Sequence, residues 1–195
     1  MNSRYLLIRE YSIEFSYRSP LEFHNGERYP NPFSTHVLTE DVVYREVTAD
    51  HRLLSRRLLT KTNRLPRWAE RIFPANLSRS VYIVEDSIVD PTNRNMITFT
   101  WNLNHTTLMT VEERCVFQQN QDRLSWTQLR REAWISSGVF GFSRPIQEFG
   151  LARFKTNQVK AMKGLEYALS NLHDAPQRPL GTPRGMRQRR PRRLL

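Results

Sequence analysis

Ile97-Thr98-Phe99-Thr100-Trp101-Asn102-Leu103-Asn104-His105 alternates apolar and polar residues at almost every step. Successive side chains of a β-strand point to opposite faces, so a period of two marks a half-buried strand. The reading puts Ile97, Phe99, Trp101 and Leu103 on a core face, with Thr98, Thr100, Asn102 and Asn104 on a polar one. Residues 81–89, Val-Tyr-Ile-Val-Glu-Asp-Ser-Ile-Val, read as a second strand, and Asp90-Pro91-Thr92-Asn93-Arg94-Asn95 supplies the Asp, Pro and Asn of a hairpin connection. Further strands are predicted at 37–47, 53–61, 108–118 and 125–135. Their close spacing leaves no room for crossover helices, which makes the sheet antiparallel.

The C-terminal part changes period. Ser143-Arg144-Pro145-Ile146-Gln147-Glu148 offers a helix-capping serine, a proline in the first turn and a glutamate near the positive helix end, and no breaker follows until about residue 172. Roughly 30 helical residues span about 45 Å. A long helix after a run of antiparallel strands predicts an α+β fold, with a curved antiparallel sheet wrapped around the C-terminal helix.

The chain has 195 residues, one domain's worth. No run approaches the ~20 apolar residues of a membrane span, and the opening residues lack a secretory apolar core, so a soluble, unsecreted protein is expected. A single cysteine, Cys115, excludes an intrachain disulfide and a Cys-rich zinc site. The seven glycines form no phosphate-cradling motif. The net charge is +11, and residues 174–195 hold seven arginines against one aspartate. That Arg/Pro-rich tail is predicted to be disordered, and its charge attracts any polyanion, nucleic acid or anionic membrane alike.

Projected as a helix, residues 143–172 show an apolar stripe of Ile146, Phe149, Phe154, Ala161, Gly164, Tyr167 and Ala168. Arg153, Asn157 and Lys160 fall at its centre. Two readings stay open: an anion site within a largely apolar space, because a buried cation needs a counter-charge, or long side chains that reach the rim or pair with Glu112 or Glu113. A second stripe, Leu151, Met162, Leu165 and Leu169, competes as the inward face. Between residues 57 and 74, Lys61, Arg64, Arg67 and Arg71 alternate with Leu65, Trp68, Ile72 and Phe73. This is the composition of a mobile lid or an interfacial element, or of a cap over one end of the sheet. Tyr29-Pro30-Asn31-Pro32 fixes a rigid turn with Arg28 and His36 at its ends.

Catalytic constellations are thin. His105 continues the inward alternation and Cys115 sits mid-strand, where a small buried residue is expected. Glu112 and Glu113, adjacent on a strand, point to opposite faces and cannot share a proton. The histidines lack metal-ligand spacing.

Several stretches in order carry a resemblance: Arg28-Tyr29-Pro30-Asn31-Pro32 with Ser34-Thr35-His36-Val37, Leu58-Leu59-Thr60-Lys61-Thr62-Asn63-Arg64-Leu65-Pro66-Arg67-Trp68, Glu85-Asp86-Ser87-Ile88-Val89-Asp90-Pro91, Thr100-Trp101-Asn102-Leu103-Asn104-His105, Val111-Glu112-Glu113-Arg114, and Glu148-Phe149-Gly150-Leu151-Ala152-Arg153-Phe154-Lys155-Thr156-Asn157. Over residues 28–172 the chain resembles the PRELI-domain family of the Ups/Slowmo group, lipid carriers of the mitochondrial intermembrane space. The resemblance implies a START-like fold enclosing a cavity for one phospholipid, and the transfer of phosphatidic acid towards cardiolipin synthesis without enzyme activity, cofactor or metal. It places ligand contacts on Arg28, His36, Lys61, Arg64, Arg153, Asn157 and Lys160, and a lid or membrane contact on Leu65, Trp68, Ile72 and Phe73. Implied partners are phosphatidic acid, a transiently bound anionic membrane surface, and a small helical-hairpin chaperone of the intermembrane space with twin cysteine motifs, bound as a heterodimer. A fork of Arg and Lys suits a phosphomonoester without metal.

The implied organisation is a divergent N-terminal segment (1–27), a lipid-transfer domain (28–173) and the tail (174–195). Both ends depart from the family pattern, so the first strand and helix are expected to be altered or missing. The competing class is a nucleic-acid-binding module using the tail. The chain lacks an aromatic RNP-like strand or a helix-turn-helix, so no specific nucleic acid is expected.

Overall fold

The computed structural model describes residues 4–13, 29, 31–62 and 79–174. Seven strands, β1 (Arg4–Ile13), β2 (Val37–Val47), β3 (Leu53–Thr62), β4 (Ser80–Asp90), β5 (Asn95–Asn102), β6 (Thr110–Gln119) and β7 (Thr127–Ser136), precede one described helix, α1 (Ser143–Asp174). They form a single sheet in the order β1-β7-β6-β5-β4-β3-β2, antiparallel throughout. The α+β architecture read from the sequence is the one observed. The N-terminal strand, expected to be altered or missing, is present: β1 pairs with β7 over its whole length and extends the sheet beyond it.

Register decides which side of each strand is inside. Leu53, Val89, Met96, Phe117 and Leu129 lie in one row across β3 to β7, and Leu165 and Met162 of α1 close over them. This row is the dry core. Because Met96 belongs to it, the same face of β5 carries Thr98, Thr100 and Asn102, which inverts the expected orientation. The polar positions of β5 look inward, where Thr98 and Asn102 are buried, while Phe99 is 37% exposed on the outside. There Phe99 packs on Trp101 with ring centroids 5.5 Å apart, and Arg56 lies 6.0 Å over the indole while gripping Asp86 through two bonds of 2.6 and 2.7 Å. Alternation reports a period and not a direction; the cross-strand neighbours set the direction.

β5 also ends at Asn102 rather than at His105. Asn102 donates to the carbonyls of Asn104 and Met109 and accepts from the Val111 amide, while Asn104 and His105 both bond the Ser80 carbonyl. His105 has left the strand, with φ of 60°. The polar residues of this stretch thus satisfy the backbone of a turn that ties β5, β6 and the start of β4 together.

α1 begins differently from the expectation. The Ile146 amide donates to the Phe142 carbonyl at 3.1 Å, so Phe142 and not Ser143 holds the cap position; the Ser143 hydroxyl donates to the Val139 carbonyl at 2.6 Å, and Glu148 pairs with Arg144 at 3.0 Å on the exposed surface. Two glycines let the helix pack closely on its neighbours. A Cβ on Gly150 would crowd Met109 and Ile135, and one on Gly164 would stand 3.2 Å from the Asn31 side chain. Between these close approaches lie about four helical turns.

Candidate functional site

Between the helix and the sheet lies a cavity of ≈ 230 Å³. Its apolar wall comes from Val81, Ile83, Met109, Val111, Phe149 and Phe154. Its polar lining has two parts, one at the end of β3 and one on the sheet floor.

At the β3 end stand His36, Lys61, Arg153 and Asn157, all lining the cavity. His36 closes the turn in which the Asn31 carbonyl accepts from Ser34 and its side-chain oxygen from the Phe33 amide. Phe33 meets Tyr167 edge-on, with centroids 5.8 Å apart, and so docks the turn on the helix. The Thr62 amide donates to the His36 carbonyl at 2.9 Å, and Arg153 Nη2 donates to the Thr62 carbonyl at 3.0 Å. This resolves part of the earlier alternative: Arg153 lies across to β3, not with Glu112 or Glu113. Burial, then the cations Lys61, Lys160 and Arg153, lower the His36 pKa to about 4. The imidazole is therefore neutral at pH 7 in a field of positive charge.

Lys160 departs from its expected place at the centre of the buried stripe. It is exposed, close enough to His36 to act on it electrostatically but outside the cavity lining, because the helix rotates Gln158 inward instead. Tyr167, placed in the same stripe, is 42% exposed. Arg28, Arg64 and the lid positions Leu65, Trp68, Ile72 and Phe73 lie outside the described residues.

The floor was not foreseen. Glu113 and Arg131 line the cavity and pair at 3.1 Å, with Thr100 and Asn102 beside them. Two strands beyond Thr100, on β3, Arg57, 2% exposed at its side chain, lies 3.4 Å from Glu40 and 3.7 Å from Glu85. Together with Ser55, Ser87 and Thr98 these groups form a buried polar belt between the dry core and the cavity. Paired burial is what makes such charges tolerable. Arg57 and Arg131 occupy inward positions of strands otherwise built from Leu53, Leu59, Leu129, Ala133 and Ile135, and that was the available signal. Cys115, buried beside Glu113, has its thiol pKa raised, chiefly by burial, and is no nucleophile at neutral pH.

The profile of the PRELI-like family matches residues 24–175. The chain is 67% identical over 155 residues to PRELI domain-containing protein 1, mitochondrial, of Gallus gallus, covering 79% of this chain and 72% of that protein. It is 66% identical to the Homo sapiens protein of the same name over the same length, 79% of this chain and 71% of that one. Against Protein UPS1, mitochondrial, of Saccharomyces cerevisiae, identity is 33%, covering 76% and 83% respectively. Among solved structures, the Zhui aromatase/cyclase from Streptomyces superposes with a TM-score of 0.59 at 9% identity, over 89% of this chain and 98% of that one. That likeness concerns the fold alone.

Proposed function

The chain belongs to the PRELI-like family, and on that premise we propose that it carries single phospholipids between mitochondrial membranes. Family membership supports a mitochondrial lipid-transfer role; the finer reading is that the cargo is phosphatidic acid, moved across the intermembrane space to supply cardiolipin synthesis. The observation carrying this reading is the meeting of an apolar cavity wall with Lys61 and Arg153 around a neutral His36. Acyl chains suit the wall. A phosphomonoester suits two fixed cations and an imidazole that can either donate or accept a hydrogen bond. The protein acts by binding and release: no bond is made or broken in the cargo. In this reading Arg28, Arg64, Asn157 and Lys160 complete the phosphate contacts, Leu65, Trp68, Ile72 and Phe73 meet the membrane, and a small helical-hairpin chaperone with twin cysteine motifs holds the carrier as a heterodimer.

Charge reversal tests it. Lys61→Glu and Arg153→Glu should each lower phosphatidic acid extraction from liposomes by at least about tenfold, since each replaces a charge-assisted bond by repulsion, with the far-UV spectrum unchanged. Extraction at the wild-type rate by both folded variants would remove the pocket assignment. Chemically altered lipid after incubation would argue for an enzyme instead.

A further inference from the structure

The turn joining β7 to α1 has an unusual tip. The Phe142 amide donates to the Val139 carbonyl at 3.1 Å, and Gly141, third of the four residues, has φ of 76°. This is the geometry of a type II β-turn, whose second residue projects away from the chain. That position usually suits proline or a polar residue; here it holds Phe140, 98% exposed, with Phe142 at 40%. A Cβ placed on Gly138 or Gly141 would meet nothing within 4 Å, so the tip has open space on both sides.

Its location matters as much as its composition. Thr110 pairs with Ser136, so the turn at 139–142 and the loop at 103–109 leave the sheet side by side. That loop exposes Leu103 at 51% and lends Leu108 and Met109 to the cavity. Neither 103–109 nor 137–142 contains an acidic residue, and Arg144, paired with Glu148 at 3.0 Å, stands exposed next to the tip. The turns at the opposite end of the sheet differ, since Asp50, Asp90 and Asp122 lie there, with Arg52 bridging the first two at 3.0 and 3.2 Å.

We propose that the turn at 139–142 is a membrane-contact element, which inserts Phe140 and Phe142, with Leu103 beside them, into the surface of a bilayer containing anionic lipid. This rests on the carrier reading, which requires the cavity to meet a membrane, but it assigns the contact to residues distinct from the 65–73 segment. A bilayer fits better than a protein partner. Aromatic rings on a convex tip offer no flat face for a protein to cover, whereas a fluid interface closes around them, and two loops without carboxylates do not repel anionic headgroups.

The test uses the full chain. Cys115 is buried, so Phe140→Cys provides the accessible thiol for an environment-sensitive dye, and Leu124→Cys, 69% exposed at the opposite end, is the control. On phosphatidylcholine vesicles containing phosphatidylserine or phosphatidic acid, the dye at 140 should brighten and the dye at 124 should not. Phe140→Ser should lower binding to both anionic vesicles about tenfold, as expected for removing one buried aromatic side chain, while melting with the wild type and retaining soluble short-chain phosphatidic acid equally. A silent dye at 140, or wild-type vesicle binding by Phe140→Ser, overturns the proposal. So does dye brightening that requires an added protein and not a vesicle. If the vesicle results hold but the wild type retains no soluble lipid, the carrier reading falls while the contact stands; retained lipid with an indifferent Phe140 is the reverse.

Discussion

One sheet builds two interiors in this molecule. Near the turns at 48–52 and 91–94, the inner positions of β3 to β7 are Leu53, Val89, Met96, Phe117 and Leu129, and α1 seals them with Met162 and Leu165. Towards the other end the same register presents Arg57, Glu85, Thr100 and Glu113 in one row and Asn102 in the next. There a cavity lies between the helix and the sheet. Strand pairing and helix length are shared by the two halves. What differs is whether the inward side chains can interdigitate with the helix or must be satisfied by one another, and a cavity results where they are polar.

Substitutions can break or sharpen this contrast. Arg57→Ala should have the largest effect, about 4 kcal/mol of stability, because it leaves Glu40 and Glu85 buried without their counter-charge; urea denaturation measures it. Leu129→Ala, fully buried in the dry half, should cost about 3 kcal/mol and leave lipid affinity unchanged below the melting temperature. If Leu129→Ala instead altered affinity as strongly as a cavity substitution, the division into halves would be wrong. Asn102→Ala should cost about 2 kcal/mol by stranding the Val111 amide and two carbonyls, and should also slow lipid exchange, since it frees the 103–109 loop.

A further effect is one of pH. The folded-state pKa of His36 lies below its ordinary value of 6.5, so between about pH 6.5 and 4 the unfolded chain binds more protons and His36 erodes stability as pH falls, levelling off below pH 4. Denaturation curves of His36→Asn should lack that increment. A bound phosphomonoester should raise the His36 pKa, shrinking the increment in loaded protein; an unchanged profile on loading would place the ligand away from His36.

How legible this was in the chain varies by element. Strands β2 to β7 and the helix could be placed because each contributes a long run at one period. β1 could not, since Leu6, Leu7 and Ile8 are consecutive rather than alternating, and an edge strand paired on one side needs no continuous apolar face. The orientation of β5 was unreadable in isolation: a strand lining a cavity turns its threonines and asparagine inward, and only pairing with Ser87, Glu85 and Glu113 reveals it. Helical spacing singled out Arg153 and Asn157, which do line the cavity, but placed Lys160 too deep. Glu113 with Arg131, and Arg57 with its two glutamates, were missed because each pair joins neighbouring strands whose register and inward face the alternation alone does not fix.

Native mass spectrometry of the full chain, purified without detergent, tests the carrier reading most directly. The expected spectrum contains a population heavier by one intact phospholipid, identified on release as phosphatidic acid and absent from the folded Lys61→Glu/Arg153→Glu double variant. A wild type that never carries lipid, or a lipid that persists through both charge reversals, would contradict it.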